Sequence, residues 1–264
     1  MRIATWNING LNTRFELVKA WLEKVSPDVL CLQELKCSTA DVPVDAIAEL
    51  GYETAAHGAG RWNGVAILSR AGLEDVTRDL IHQPGFLAEG ELHAVQEPRA
   101  IGATCNGVRL WSLYVPNGRT IEHAHYQYKL EWLAALRATV ASELDPNRPF
   151  AVLGDFNIAP TDEDVWDISL FAGSTHVTPA ERAALTALRE AGLSDVYPRP
   201  LKYDVPFTYW DYRQLAFPKN NGMRIDLVYG DERFTTKVKD AYVDREARKG
   251  KGTSDHAPVV IDLV

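Results

Sequence analysis

The sequence predicts an α/β domain with at least two sheet halves, and three observations predict it. Short, unbroken apolar runs such as Val29-Leu30-Cys31-Leu32 and Phe150-Ala151-Val152-Leu153 have the length of strands buried on both faces. Amphipathic segments fall between these runs, so strands and helices interleave. No proline- or glycine-rich linker, internal repeat or low-complexity tract interrupts the pattern, and residues 1–264 read as one domain.

In chain order, Ile3-Ala4-Thr5-Trp6 is the first strand. Phe15, Val18, Leu22 and Val25 stand at i, i+3, i+7 and i+10, one face of a helix that stops before Pro27. Strands follow at 29–32 and 64–69. Residues 99–115 form a hairpin, with Asn106-Gly107 supplying the positive φ angles of its tight turn. Leu133, Leu136, Val140 and Leu144 mark a second helix, before the strand at 150–153. Thr178-Pro179-Ala180-Glu181 is a capping box with proline at the first helical position, and Gly192 closes that helix. The last strands are placed at 224–229 and 258–263.

At 46% hydrophobic and 24% charged, the composition excludes disorder and fibrous repeats. The first residues have neither the basic flank nor the apolar run of a signal peptide, and no stretch approaches the roughly 20 apolar residues that span a bilayer. No membrane role is expected. Cys31, Cys37 and Cys105 are too few for a disulfide framework and lack zinc spacing, so a reducing cytoplasm is the expected compartment. The net charge of −8 argues at first against a polyanionic partner. Its distribution reverses that: residues 199–251 hold 12 Lys and Arg against 8 Asp and Glu, leaving 16 against 28 elsewhere. A positive face is therefore compatible with an acidic chain.

The informative polar residues sit where strands run out: Asn7, Glu34, Asp155, Asn157 and the pair Asp255-His256. Ligands of open α/β sheets bind beyond strand ends, so these residues could converge on one crevice. Singly, each also fits a plain turn or cap, as Asp155-Phe156-Asn157 before Pro160 does. Asp226 is different. A carboxylate within the apolar run Arg224–Val228 needs a partner, and His256 is the candidate, its tautomer then fixed and its cationic form favoured. Glu34, Asp155 and Asp255 with Asn7 and Asn157 offer only oxygen donors, which suits magnesium or manganese rather than zinc. With no evident Ser or Cys nucleophile, the set points to metal-assisted hydrolysis of a phosphate ester.

In these motifs the chain resembles the exonuclease III-type apurinic/apyrimidinic endonucleases, within the endonuclease/exonuclease/phosphatase superfamily. The resemblance runs through Thr5-Trp6-Asn7-Ile8-Asn9-Gly10, Leu32-Gln33-Glu34-Leu35-Lys36, Asn63–Arg70 and Tyr114-Val115-Pro116-Asn117-Gly118. It continues in Gly154–Pro160, Thr208–Arg213, Arg224-Ile225-Asp226 and Ser254–Pro258, nearly the whole chain. It implies a four-layer sandwich, two mixed β-sheets face to face with helices outside. It implies that Glu34, with Asn7 and Asp255 nearby, holds magnesium (manganese as a substitute), with Asp155, Asn157 and His256 around the same centre. Asp155 would align or deprotonate the attacking water, Asn157 bind the phosphate, Asp226 orient a cationic His256, and Tyr114 contact the phosphate or stabilise the leaving group. Whether Asp155 or a Tyr114 phenolate is the base, and whether one metal acts or two, stays open at this point.

The resemblance also implies a grip on double-stranded DNA. Lys36 and Asn117 join the contact set from their motifs, and Tyr209, Trp210, Met223, Arg224 and Ile225 would wall a pocket for a flipped abasic sugar. Tyr209 stands where relatives often carry Trp or Phe, and Met223 where they can carry Trp, which leaves abasic-site incision and exonuclease activity in open balance. Arg248, Lys249 and Lys251, directly before Asp255-His256, are candidates for phosphate contacts, though a solvated loop fits them equally. The implied function is a magnesium-dependent repair phosphodiesterase that cuts 5′ to abasic sites and trims nucleotides or blocking groups from 3′ ends. A monomer is expected. A same-fold phosphatase acting on a phosphoinositide or other small phosphodiester, and a non-catalytic nucleic-acid-binding member, are the rival readings.

Overall fold

Twelve strands form two six-stranded sheets in the computed structural model, which describes residues 1–264. In chain order the strands are β1 (Arg2–Asn7), β2 (Val29–Gln33), β3 (Glu53–His57), β4 (Val65–Ser69), β5 (Glu74–Arg78) and β6 (Ala100–Cys105). The others are β7 (Val108–Tyr114), β8 (Phe150–Asp155), β9 (Ser194–Asp195), β10 (Asp226–Gly230), β11 (Val238–Val243) and β12 (Val259–Leu263). The sheets run β11-β12-β1-β2-β4-β3 and β5-β6-β7-β8-β10-β9, each mixed through one parallel pair, β1 with β2 and β7 with β8. The helices are α1 (Leu11–Val25), α2 (Val44–Glu49), α3 (Ala124–Glu143), α4 (Pro179–Glu190), α5 (Ala216–Lys219) and α6 (Glu232–Thr235). None is long and apolar enough to cross a membrane.

Alternation along the strands produces four layers, because successive side chains leave a strand on opposite faces. Ile3, Cys31, Leu110, Leu153, Val228 and Ile261 meet in one core between the sheets. Their neighbours Trp111, Phe150, Val152 and Tyr229 pack outward with Trp132, Leu136 and Leu185 of α3 and α4. Ala4, Trp6, Leu30 and Leu32 pack with Val18, Trp21 and Leu22 of α1 on the opposite side. The expected sandwich of two sheets clad by helices is the observed fold.

The eight strands read from the sequence are the eight interior ones. The four edges, β3, β5, β9 and β11, carry no unbroken apolar run, and β5 is exposed at every residue. Two local signals hold in detail. Asn106 and Gly107 both have positive φ, and Thr178 and Glu181 close the capping box of α4 reciprocally. Boundaries differ by one or two residues, the start of β10 for a visible reason. β10 begins at Asp226 rather than Arg224, because the Arg224 and Ile225 amides donate to the Asp164 carbonyl and to Thr208 Oγ1 instead of a strand.

Candidate active site

The same alternation aims the chemistry inward. Thr5, Gln33 and Ser112 are hydrogen-bonded across the gap between the sheets, at 3.0 Å from Gln33 Nε2 to each hydroxyl. Two residues beyond Thr5 and Ser112 on the same face stand Asn7 and Tyr114, at the ends of β1 and β7. Asp155, two beyond Leu153, ends β8, where the register sets it opposite both Tyr114 and Asp226. The site thus forms where the inter-sheet core runs out. Gly154 makes this close approach possible: a Cβ there, at φ 149°, would lie 2.0 Å from the Leu113 carbonyl oxygen. Glu34 and Asn157 follow their strands in left-handed conformations, φ 52° and 51°, a strained backbone that the surrounding hydrogen bonds hold.

His256 Nδ1 lies 2.8 Å from Asp226 Oδ2, the pairing that the lone carboxylate demanded. Its other nitrogen, Nε2, faces Asp155 Oδ2 at 3.9 Å. Burial would push this ring down, but the Asp226 carboxylate, with Asp155 and Asp255, holds it up to about 10, so it is a cation at neutral pH. Burial also pushes the Asp155 carboxyl up; His256 opposes the rise, Asp226 and Glu34 add to it, and it lies at about 7. Glu34 is the reverse case. Burial would raise it, yet Lys36 Nζ, 2.9 Å away, and the Asn7 amide keep it below its ordinary value. The Tyr114 phenol is pushed far up by burial and by facing Glu34, so it is a neutral donor and not a phenolate. Its ring lies under the Arg99 guanidinium, 4.7 Å from the centroid.

Ligand atoms of Glu34, Asp155 and His256 lie within 4.8 Å of one another. Two desolvated carboxylates this close fit a hard divalent cation, and the Asp155 carboxyl, raised first by burial and then by Asp226 and Glu34, is one whose ionised form such an ion would favour. Other proposed ligands play different parts. Asn7 Nδ2 donates to Glu34 at 2.8 Å and to Asp155 at 2.9 Å, while its Oδ1 accepts the Asn9 amide, so it turns donors, not a ligand oxygen, towards the centre. Asn157 Oδ1 accepts from Asn117 Nδ2 at 3.2 Å, and its own Nδ2 donates to the Val115 carbonyl. Asp255 lines the cleft, held by Asn9 Nδ2 at 2.9 Å, outside the close group.

These residues open into a cleft of about 490 Å³. Of the sequence-predicted set, Glu34, Tyr114, Asn117, Asp155, Asn157, Tyr209, Met223, Ile225, Asp255 and His256 line it, and the Tyr209 ring lies 4.9 Å from that of His256. Asn7 and Asp226 support it from behind, and Lys36 reaches Glu34 and Asn9. Three expectations are corrected. Trp210 is buried, its indole bonded to Asn220 and packed on Phe217, and it does not wall the cleft. Arg224 is buried between Asp164 and Asp195, at 2.6 and 2.9 Å, because a guanidinium this deep must be paired. Arg248 is also buried, donating to the Trp210 carbonyl and Thr253 over the rings of Tyr212 and Phe217, so it braces the loop instead of reaching for phosphate. Lys249 is exposed and paired with Glu246, and Lys251 is exposed.

Sequence reading missed Trp166, Phe171, His176 and Arg213 on the cleft wall. His176 Nδ1 donates to the Asn157 carbonyl, and burial beside Lys129 lowers its pKa to about 4, so it is neutral. It also missed Asn9, which the repeated Asn7-Ile8-Asn9 spacing at a strand end signals.

A family model described as the endonuclease/exonuclease/phosphatase family matches residues 4–256. The chain is 29% identical over 278 residues to exodeoxyribonuclease III of Haemophilus influenzae, with 98% of each chain covered. A solved structure of a 3′ phosphatase from Neisseria bound to a product DNA hairpin superposes with a TM-score of 0.92 at 34% identity, covering 100% of this chain and 99% of that one. An AP endonuclease from Archaeoglobus fulgidus superposes with a TM-score of 0.90 at 30% identity over the same shares.

Proposed function

Because the chain belongs to the endonuclease/exonuclease/phosphatase family, and is an exonuclease III-like hydrolase within it, we propose that it is a magnesium-dependent DNA-repair phosphodiesterase. It removes nucleotides and blocking phosphates from 3′ ends of double-stranded DNA and cuts 5′ to abasic sites. The 3′-end activities come first, since the 3′ phosphatase is the more similar of the two superposed structures. The single observation that carries the reading is the His256–Asp226 pair facing Asp155 and Glu34 in one cleft.

In-line hydrolysis needs a positioned water, charge neutralisation on the phosphate and help for the departing oxygen. Asp155, once ionised, orients the water and accepts its proton at Oδ2. The His256 imidazolium, kept cationic by Asp226, donates from Nε2 to a non-bridging oxygen. Asn157 and Asn117 each have one side-chain N–H left over for the phosphate, since their other bonds are made within the protein. Tyr114 donates its phenol proton towards the leaving side. Glu34 and Asp155 would hold the divalent ion, which supplies Lewis-acid stabilisation of developing negative charge when bound. Tyr209, Met223 and Ile225 give the sugar an apolar wall. The proposal takes residues 1–264 as one domain and a monomer in a reducing cytoplasm, which three free, buried cysteines support.

The test is a gel assay of purified protein with magnesium or EDTA. It compares a duplex with a 3′ phosphate, a recessed 3′ end, a duplex with one abasic analogue and a phosphoinositide headgroup. Magnesium-dependent processing of the DNA substrates is expected, fastest at 3′ ends. Turnover of the headgroup alone would establish the same-fold phosphatase, and binding of DNA without turnover the non-catalytic member.

A further inference from the structure

Lys129 of α3 and Glu181 of α4 have fully buried side chains, with Nζ 2.5 Å from Glu181 Oε1. The ammonium also donates to the Asn157 carbonyl at 2.8 Å and reaches the Asn117 carbonyl at 3.3 Å and Thr175 Oγ1 at 3.4 Å. Glu181 is saturated in turn. Oε1 accepts from Thr175 Oγ1 at 2.6 Å and the His176 amide at 2.9 Å, while Oε2 accepts from the Thr178 amide and hydroxyl. An ion pair at this depth is a poor source of stability, because desolvating two charges offsets their attraction. What it holds is more telling. Its bonds run to the loop after β7 and to both ends of the β8–α4 connection, and these points send Asn117, Asn157 and His176 into the cleft. The packing leaves no slack, since a Cβ on Gly118 would meet Thr175 Oγ1 at 2.5 Å and Lys129 Cδ at 3.3 Å.

We propose that the Lys129–Glu181 pair is a positioning device for the phosphate-binding amides: it fixes the carbonyls of Asn117 and Asn157 and thereby aims their side chains into the cleft. The inference rests on the phosphodiesterase reading of that cleft. Lys129 and Glu181 do not line the cleft and act only through the residues they hold. Because Asn157 lies in the sparsely populated left-handed region, its backbone relaxes toward the deeper right-handed or extended wells once the carbonyl is released. The side-chain amide then leaves the orientation that its bonds to Asn117 and Val115 define.

The experiment is a double-mutant cycle built on Lys129→Met with Glu181→Gln, which removes both charges and leaves neither unpaired. On a duplex with a 3′ phosphate, kcat is expected to fall by roughly 10- to 100-fold, the cost of a misplaced binding group. KM should stay within about threefold of wild type, since duplex binding elsewhere is untouched. In a background carrying both Asn117→Ala and Asn157→Ala the same two substitutions should lower kcat by less than about twofold, because the groups they act through are gone. A full multiplicative loss in that background, or an unchanged kcat with the pair neutralised, overturns the proposal. Should the double variant fail to fold, Glu181→Gln alone, which preserves the shape of the cap, takes its place in the cycle. The side-chain amide resonances of Asn117 and Asn157 give a readout independent of turnover: they shift on neutralisation if the pair positions them and stay in place if it does not. Wild-type turnover is measured alongside. Its absence counts against the phosphodiesterase reading, while the amide resonances still decide the role of the pair.

Discussion

Replacing Asp226 with asparagine keeps the shape of the carboxylate and removes its charge from a buried contact 2.8 Å from His256 Nδ1. In the native protein burial pushes the imidazole down, and Asp226 is the strongest of the charges that reverse this and hold it at about 10. Without that charge only Asp155 and Asp255 oppose burial, and the ring falls toward its ordinary value of 6.5. At about pH 8 a ring titrating near 10 is about 99% cationic and one at 6.5 about 3%, so the competent form drops by about 30-fold. That figure applies to a ring that falls fully to its ordinary value, and an amide also ceases to select the tautomer with its proton on Nδ1. The assay is kcat on saturating 3′-phosphate duplex from about pH 6 to about pH 9, where the Asp226→Asn variant should lose activity nearly tenfold per pH unit above the lowered pKa. Stability should follow the same group. A histidine with a raised folded pKa contributes stability that is complete below 6.5 and lost as pH rises through about 10, so the melting deficit of the variant is largest in acid and shrinks toward pH 10. A variant with at least a third of wild-type kcat at pH 8 and a flat profile would refute the imidazolium role.

Three further outcomes are expected. Burial holds the Asp155 carboxyl up, against the pull of His256 and with the push of Asp226 and Glu34, at about 7; the protonated form is therefore favoured by folding, a stabilisation complete below 3.8 and lost as pH rises through about 7. Magnesium binds the ionised form, so its increment in Tm should grow from pH 6 to pH 8 and disappear in Glu34→Gln; a pH-independent increment would remove these carboxylates from the metal site. Tyr114→Phe should lower kcat by roughly 10- to 100-fold without changing the shape of the pH profile, because burial and Glu34 keep the phenol protonated; loss of an alkaline limb would identify a phenolate base instead. Lys251→Ala should reduce the salt slope of DNA binding by about 0.9, while Arg248→Ala should lower Tm and leave the slope alone; the opposite pattern would restore Arg248 to the DNA face.

What the sequence made legible follows from burial. The interior strands announce themselves because both faces are apolar, so their composition alone marks them. The edge strands do not: Glu74-Asp75-Val76-Thr77-Arg78 has no apolar face, and its ladder with β6 is a main-chain matter. The carboxylates of the cleft were legible because each interrupts an apolar run or ends one, and Asp226 demanded a partner that could be named. Long-range pairing was not legible. Arg224 looks like a DNA contact until Asp164 and Asp195, distant in sequence, close around it. Lys129 is the instructive case. It stands four residues before Leu133 and seven before Leu136, on the apolar stripe of its helix, and a lysine there has to be paired. Glu181 was read correctly as a cap, but a capping box satisfies its glutamate locally and gives no sign of a second partner.

The charge distribution takes on a narrower meaning once these pairs are known. Of the cations between residues 199 and 251, Arg224 and Arg248 are interior, and Arg199, Arg213 and Lys249 are matched to Asp240, Asp211 and Glu246. The other seven, Lys202, Lys219, Arg233, Lys237, Lys239, Arg245 and Lys251, are a smaller basic complement than the whole-segment count suggests. The cleft by itself is acidic, since Glu34, Asp155, Asp226 and Asp255 outnumber the His256 imidazolium and the Lys36 ammonium and would repel a phosphate. A cleft of this charge takes a phosphate most readily together with a divalent cation, the ion offsetting the carboxylates and the phosphate completing the ion's surroundings. Their affinities are then reciprocally linked, each raising the other by the same factor. An acidic chain can in this way bind phosphate conditionally, tightly where a cation accompanies it and weakly where none does.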